Sequence, residues 1–239
     1  MHILVLQHAS VEHPGAFRRL LNEDGHSWTA VELDEGEPIP DLSGFDALWV
    51  LGGPMDVWEE STHPWLRPEK ELIREAVLGR GLPFLGLCLG HQLLAEALGG
   101  SCGKSEESEV GVMEVELTQD GVESIFLDGL PERFSCLQWH GAEVLTPPDN
   151  AVVLARSPAC ANQAMSWGPR AFSLQFHVEV EATTVTDWAE IPEYAAALDD
   201  VFGSGGAAKL ARDCSASMVE FGKTVERIYI NWMHASARA

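Results

Sequence analysis

Five cysteines are scattered through the 239 residues, and Cys88 stands in a setting the other four lack. Glycines lie two residues before and two after it, in Gly86-Leu87-Cys88-Leu89-Gly90, where the apolar run "LPFLGL" gives way to the helical spacing of "GHQLLAEALGG". The pattern has the form G-x-S-x-G, in which a sharp strand-to-helix turn carries a nucleophile and glycines let neighbouring backbone close in. Such a turn lifts the thiol above the carboxyl edge of a sheet, where open α/β folds hold their ligands. The following helix aims its unpaired N–H groups and positive end at the sulfur, which favours thiolate. The Leu89 amide is then placed to donate to an oxyanion formed when the sulfur attacks a carbonyl. Cys88 is therefore expected to be exposed, whereas Cys102, Cys136, Cys160 and Cys214 read as small core hydrophobes.

A cysteine nucleophile needs a base, and the base needs an orienting group. "SLQFHVEV" supplies both. Residues i and i+2 of a strand face the same way, so His177 and Glu179 are expected to project together near a strand end. Alone, such a pair is an incidental surface feature; beside the cysteine corner it becomes the candidate base and orienter. A second oxyanion donor is sought in "LGGP" (51–54), which ends a strand expected to run parallel to that of the cysteine. A plain tight turn is the competing reading there.

The elements that must position these residues are legible from periodicity. "HILVLQ" (2–7), "SWTAVEL" (27–33) and "DALWVLGGP" (46–54) read as strands. Residues 14–25, with Gly25 as a helix stop, and 65–79 read as helices. This alternation implies βαβ units and a mainly parallel sheet. Segments 110–118, 134–139, 151–157, 163–168 and 171–180 are separated by short turns and suggest antiparallel strands added to it. From about Glu181 the chain becomes Ala-rich helix, interrupted by "GSGG" (203–206). The expected fold class is α/β: an open, mainly parallel twisted sheet with helices on both faces, a flavodoxin-like variant, plus antiparallel strands and a C-terminal helical extension. Residues 1–181 would form the α/β domain and 182–239 an extension packed on it. The aromatic residues Trp188, Tyr194, Phe202, Phe221, Tyr229 and Trp232 would cover the outer face of the sheet or a contact between subunits. A lid over the site is the alternative.

Composition narrows the partners. Fifteen Lys and Arg against 37 Asp and Glu give a net charge of −22, which repels a phosphate backbone and argues against nucleic acid. No apolar stretch approaches the ~20 residues of a membrane span, and the N-terminus lacks the features of a signal peptide. A cytoplasmic protein is expected. An odd number of dispersed cysteines fits reduced thiols, and the histidines show no H-E-x-x-H or H-x-H spacing, so neither metal nor cofactor is expected.

Taken together, "LGGP", "PFLGLCLGHQ" (83–92) and "FHVE" (176–179) resemble, in order and spacing, the class I, or triad-type, glutamine amidotransferases. The resemblance spans about residues 1 to 181 and is strongest to stand-alone relatives of the glutaminase half of GMP synthetase. It implies cysteine attack on the side-chain amide of glutamine, release of ammonia and hydrolysis of a γ-glutamyl thioester. By motif matching Cys88 is the nucleophile, His177 the general base and then acid, and Glu179 the orienter. The amides of Gly53 and Leu89 form the oxyanion hole. Gly52, Gln92 and the segment Trp139-His140-Gly141 border the substrate. The family often has proline where this chain has Val178, yet the H-x-E spacing is intact. No phosphate loop of the form G-x-x-x-x-G-K-[ST] is present, so the ammonia acceptor would be a separate synthetase subunit. The competing expectations are a self-sufficient hydrolase of γ-glutamyl amides or peptides and a non-enzymatic module on the same scaffold. Homo-oligomerisation is left open.

Overall fold

Four short runs, joined by a fifth strand from later in the chain, form the parallel part of a nine-stranded sheet in the computed structural model, which describes residues 1–237. They are β1 (His2–Gln7), β2 (Ser27–Glu32), β3 (Ala47–Val50) and β4 (Phe84–Leu87). The remaining strands are β5 (Ser101–Leu117), β6 (Arg133–Thr146), β7 (Ala151–Arg156), β8 (Ala164–Trp167) and β9 (Ala171–Leu174). The spatial order is β2-β1-β3-β4-β9-β8-β7-β5-β6, parallel from β2 through β9 and antiparallel beyond. The expected α/β class with an antiparallel addition is thus the observed one.

Strands β3 and β4 are buried throughout because helices cover both faces. Side-chain parity divides β1 between two cores. Ile3 and Val5 pack with Trp49 against Phe17 and Leu21 of α1 (Phe17–Glu23). Leu4 and Leu6 face Leu66 and Ile73 of α2 (Leu66–Arg74) and Leu93 of α3 (Leu89–Ala97). Helix α1 stops as the sequence indicates. Gly25 takes φ 70°, and the N–H groups of Gly25 and His26 return to Asn22 and Leu21. Helix α2 runs on through one π-helical turn, Glu75–Gly79.

The antiparallel strands are longer than their apolar pattern suggests. Residues 101–109 of β5 are mostly polar and exposed, so no alternation marks them, yet they pair with β6 across a register shift between Lys104 and Glu109. Strand β9 is shorter than expected. It ends at Leu174, and His177 meets the sheet only through an isolated antiparallel bridge to Leu137. A short helix α4 (Gln119–Glu123) joins β5 to β6.

The chain ends in α5 (Thr184–Trp188), α6 (Pro192–Phe202) and α7 (Gly206–Ala237), with "GSGG" at the α6–α7 turn. The expectation for the aromatic residues holds for part of them. Tyr229 and Trp232 of α7 join the core beside α1, where Trp232 meets Trp49 edge to face at 5.3 Å and donates to Phe84 O at 3.0 Å. Trp188 and Tyr194 do not cover the outer face; they cluster with Trp139 above the carboxyl edge of the parallel strands. No helix among the described residues is long and apolar enough to cross a membrane.

Candidate active site

Cys88 lies between β4 and α3, at the N-cap of the helix. Its N–H donates to Leu174 O at 2.8 Å, while its carbonyl accepts from His91 and Gln92 at 2.9 and 3.2 Å. Between these anchors the residue holds φ 48°, ψ −102°, a conformation foreign to L-residues that costs ~1–3 kcal/mol. The glycine bracket has a steric cause. A Cβ on Gly90 would lie 2.0 Å from Val50 O, and one on Gly86 would lie 2.5 Å from Gly90 O. The first turn of α3 therefore rests directly on backbone of β3 and β4. As the first N–H of a helix, Leu89's has no intrahelical acceptor.

The thiol is not exposed as expected. Cys88 is 5% accessible and lies at the floor of a cavity of about 140 Å³ bordered by Gly53, Leu89, Gln92, Trp139, His140 and Tyr194. The roof is the cause: α6 brings Tyr194, and β6 brings Trp139 and His140, neither of which local sequence could place above the cysteine. Cys136, Cys160 and Cys214 are buried as expected, whereas Cys102 is only partly buried at the edge of the core. Burial raises the pKa of Cys102, Cys136, Cys160 and Cys214, the last to about 12.

His177 lies near enough to the Cys88 sulfur for the two to interact electrostatically. Its Nδ1 donates to Glu179 Oε1 at 2.6 Å, and Glu179 Oε2 accepts from the Val178 N–H at 2.8 Å. Strand parity is not what joins the pair, because both residues lie past the end of β9. The bridge from His177 N to Leu137 O at 2.9 Å and the carboxylate's bond to the intervening amide fix the geometry instead. Trp188 stands edge-on to the imidazole at 4.6 Å. Burial alone would pull the His177 pKa down, but Glu179 on one side and the sulfur on the other outweigh it, and the net is well above the ordinary histidine value.

The residues expected to border substrate are placed as follows. Gln92 donates to Ala142 O at 3.1 Å and Gln175 Oε1 at 3.2 Å, and Gln175 in turn donates to Cys88 Sγ at 3.6 Å. His140 Nδ1 donates to Ala142 O at 3.0 Å, with Nε2 3.2 Å from Glu109, so its ring faces protein oxygens. Trp139 Nε1 is buried without a partner among the described residues. Gly53 borders the cavity, whereas the carbonyl of Gly52 points to His8 at 2.8 Å.

Sequence reasoning missed the loop after β1. Glu12 is 1% exposed and accepts from the Tyr194 hydroxyl. Its carboxylate and the polar atoms of His177 and Glu179 lie within 4.8 Å of one another. Burial, the largest influence, raises its pKa to about 7 although His177 and Tyr194 oppose the rise. These three side chains offer the atoms of a metal site, yet His177 Nδ1 is already bonded to Glu179, so the cluster reads as a hydrogen-bonded network. A signal was available: "QHASVEHPG" (7–15) puts charged side chains at the carboxyl end of a parallel strand, where such folds bind ligands.

Comparison with known proteins gives a consistent picture. The sequence is 42% identical over 155 residues to a GMP synthase (glutamine-hydrolyzing) of Aeropyrum pernix, covering 64% of this chain and 28% of that one. It thus spans little more than a quarter of that relative. It is 32% identical over 190 residues to the glutamine amidotransferase-like protein YfeJ of Salmonella typhimurium, covering 77% of this chain and 78% of the other. A crystal structure of a glutamine amidotransferase from Thermotoga maritima superposes with a TM-score of 0.86 at 28% identity, over 100% of this chain and 99% of that one. The family described as glutamine amidotransferase class-I matches residues 15–188, which include the cysteine elbow and the His-x-Glu pair. The chain belongs to the class-I glutamine amidotransferases.

Proposed function

We propose that the chain hydrolyses the γ-amide of glutamine through a thioester on Cys88 and delivers the ammonia to a separate synthetase subunit. One observation carries this reading: the elbow sulfur lies beside His177, which is hydrogen-bonded to Glu179, at the floor of a cavity edged by Gly53 and Leu89.

The sulfur adds to the γ-carbonyl carbon, and the carbonyl electron pair moves onto oxygen, where the N–H groups of Gly53 and Leu89 receive the charge. His177 gives its proton to the amide nitrogen, the C–N bond breaks, and ammonia leaves a γ-glutamyl thioester. Water then attacks the same carbon as His177 takes its proton; the C–S bond breaks and glutamate is released. Glu179 holds the ring in one tautomer and stabilises the imidazolium. Gln92, Trp139 and His140 border the amino-acid end of the substrate.

A cavity of about 140 Å³ is well below the ~300–1,000 Å³ of drug-sized sites, which favours a single amino acid over a γ-glutamyl peptide. Relatives named as one subunit of a glutamine-hydrolyzing GMP synthase, such as that of Sulfolobus acidocaldarius at 33% identity over 155 residues, support a separate synthetase partner. Ammonia release by the pure protein, from glutamine and from a panel of γ-glutamyl peptides, tests the reading. Glutamine is expected to be cleaved, and Cys88→Ala to lose all turnover while its circular dichroism is unchanged. Turnover that survives the substitution contradicts it.

A further inference from the structure

The loop between β1 and α1 carries a second imidazole that the chemistry above does not use. His8 is 1% exposed, with Nδ1 2.8 Å from Gly52 O and Nε2 3.0 Å from a carboxylate oxygen of Glu69. Glu69 lies on α2 and is wholly buried. A carbonyl only accepts, so Nδ1 carries a proton, and Nε2 shares a second one with the Glu69 carboxyl group. Burial opposes a charge on the ring most, but Glu69, the Gly52 carbonyl and Glu12 together raise the His8 pKa.

A buried ion pair seldom stabilises a fold better than packed hydrocarbon, so its position calls for another account. The carbonyl that His8 grips belongs to the same peptide group as the Gly53 N–H. In a trans peptide the two point in opposite directions, and no cis bond occurs among the described residues. Gripping the carbonyl therefore turns the Gly53 N–H away from His8, toward the cavity that Gly53 shares with Cys88 and Leu89. A peptide between two glycines has little torsional resistance of its own. Nor can side chains stiffen it, because a Cβ on Gly52 would fall 2.6 Å from a Glu12 oxygen and one on Gly53 would fall 2.7 Å from the His8 Cβ.

We infer that the Glu69–His8 pair is the positioning device of the oxyanion hole, holding the Gly52–Gly53 peptide with its N–H toward the oxygen that gains charge. The hydrogen bond donated to the carbonyl also polarises the peptide, which strengthens its N–H as a donor. His8 and Glu69 act through Gly53 and touch neither sulfur nor substrate. The inference rests on the Cys88 chemistry proposed above.

His8→Leu alone would strand the Glu69 charge, so the test pairs it with Glu69→Leu. The double variant is expected to lose about 10²-fold in kcat on glutamine, with KM within about threefold of wild type. Alkylation of Cys88 by iodoacetamide, a displacement that forms no oxyanion, should keep its wild-type rate. His8→Asn, which leaves a donor near the Nδ1 position, paired with Glu69→Gln should recover most of the loss. A wild-type kcat in the double leucine variant overturns the inference, and so does an alkylation rate that falls in step with kcat. Should wild type cleave no γ-amide, the functional reading fails, and the variant's crystal structure decides the inference separately. A rotated Gly52–Gly53 peptide supports it, and an unchanged one overturns it.

Discussion

At the scale of single residues, the site concentrates buried groups whose protonation the fold has shifted, and this has a consequence for stability. Glu12, enclosed by Tyr194, His177, Glu179 and His8, holds its proton in the folded chain to about pH 7, against 4.5 for an exposed glutamate. Between those values the unfolded chain has released a proton that the folded chain keeps, so stability falls as pH rises. The contribution is complete below about pH 4.5 and gone above about 7. His8 and His177, whose pKa values are also raised, add a second fall that starts near their ordinary 6.5. Glu12→Gln should therefore flatten urea midpoints between pH 4.5 and 6.5 and leave the decline above 6.5 in place. An unchanged slope in the lower window contradicts the assignment. Cys88, His177 and Glu179 were legible in the sequence because each sits in a short pattern with a chemical rationale. Glu12, His8 and Tyr194 were not, because their significance lies in contacts between segments up to 182 residues apart.

At the scale of elements, the parallel strands, the elbow and the antiparallel addition could be read from periodicity and turn residues. The end of β9 could not, since "LQFHVEV" alternates well enough to pass for strand while its backbone leaves the sheet. Residues 101–109 failed in the opposite sense: polar on both sides, they carry no alternation, and only pairing with β6 makes them a strand. Helix α7, expected as an extension packed on the domain, completes a core. Val225, Ile228, Tyr229 and Trp232 are each no more than 3% exposed, and at ~1.5–3 kcal/mol per buried side chain their sum rivals the ~5–15 kcal/mol of a whole domain. Truncation after Gly205 should leave an insoluble chain or one without near-ultraviolet dichroism. A soluble truncated protein with a native near-ultraviolet spectrum would show that α7 is dispensable.

At the scale of the whole molecule, separate parts of the chain converge on one sulfur. The β1–α1 loop brings His8 and Glu12, β3 runs into Gly52 and Gly53, the β4–α3 corner presents Cys88, and the segment after β9 brings His177 and Glu179. Helices α5 and α6 close the space with Trp188 and Tyr194, which leaves the Cys88 sulfur screened from bulk water yet beside a cavity. The net charge of −22 is no obstacle to a zwitterionic amino acid or to neutral ammonia. The most direct test is to quench the protein during turnover of glutamine and locate any γ-glutamyl adduct by peptide mass spectrometry. The account predicts a thioester on Cys88 alone, absent in Cys88→Ala and formed far more slowly in His177→Asn. An adduct on Cys102 or Cys136, or turnover with no adduct on Cys88 even under rapid acid quench, would contradict it.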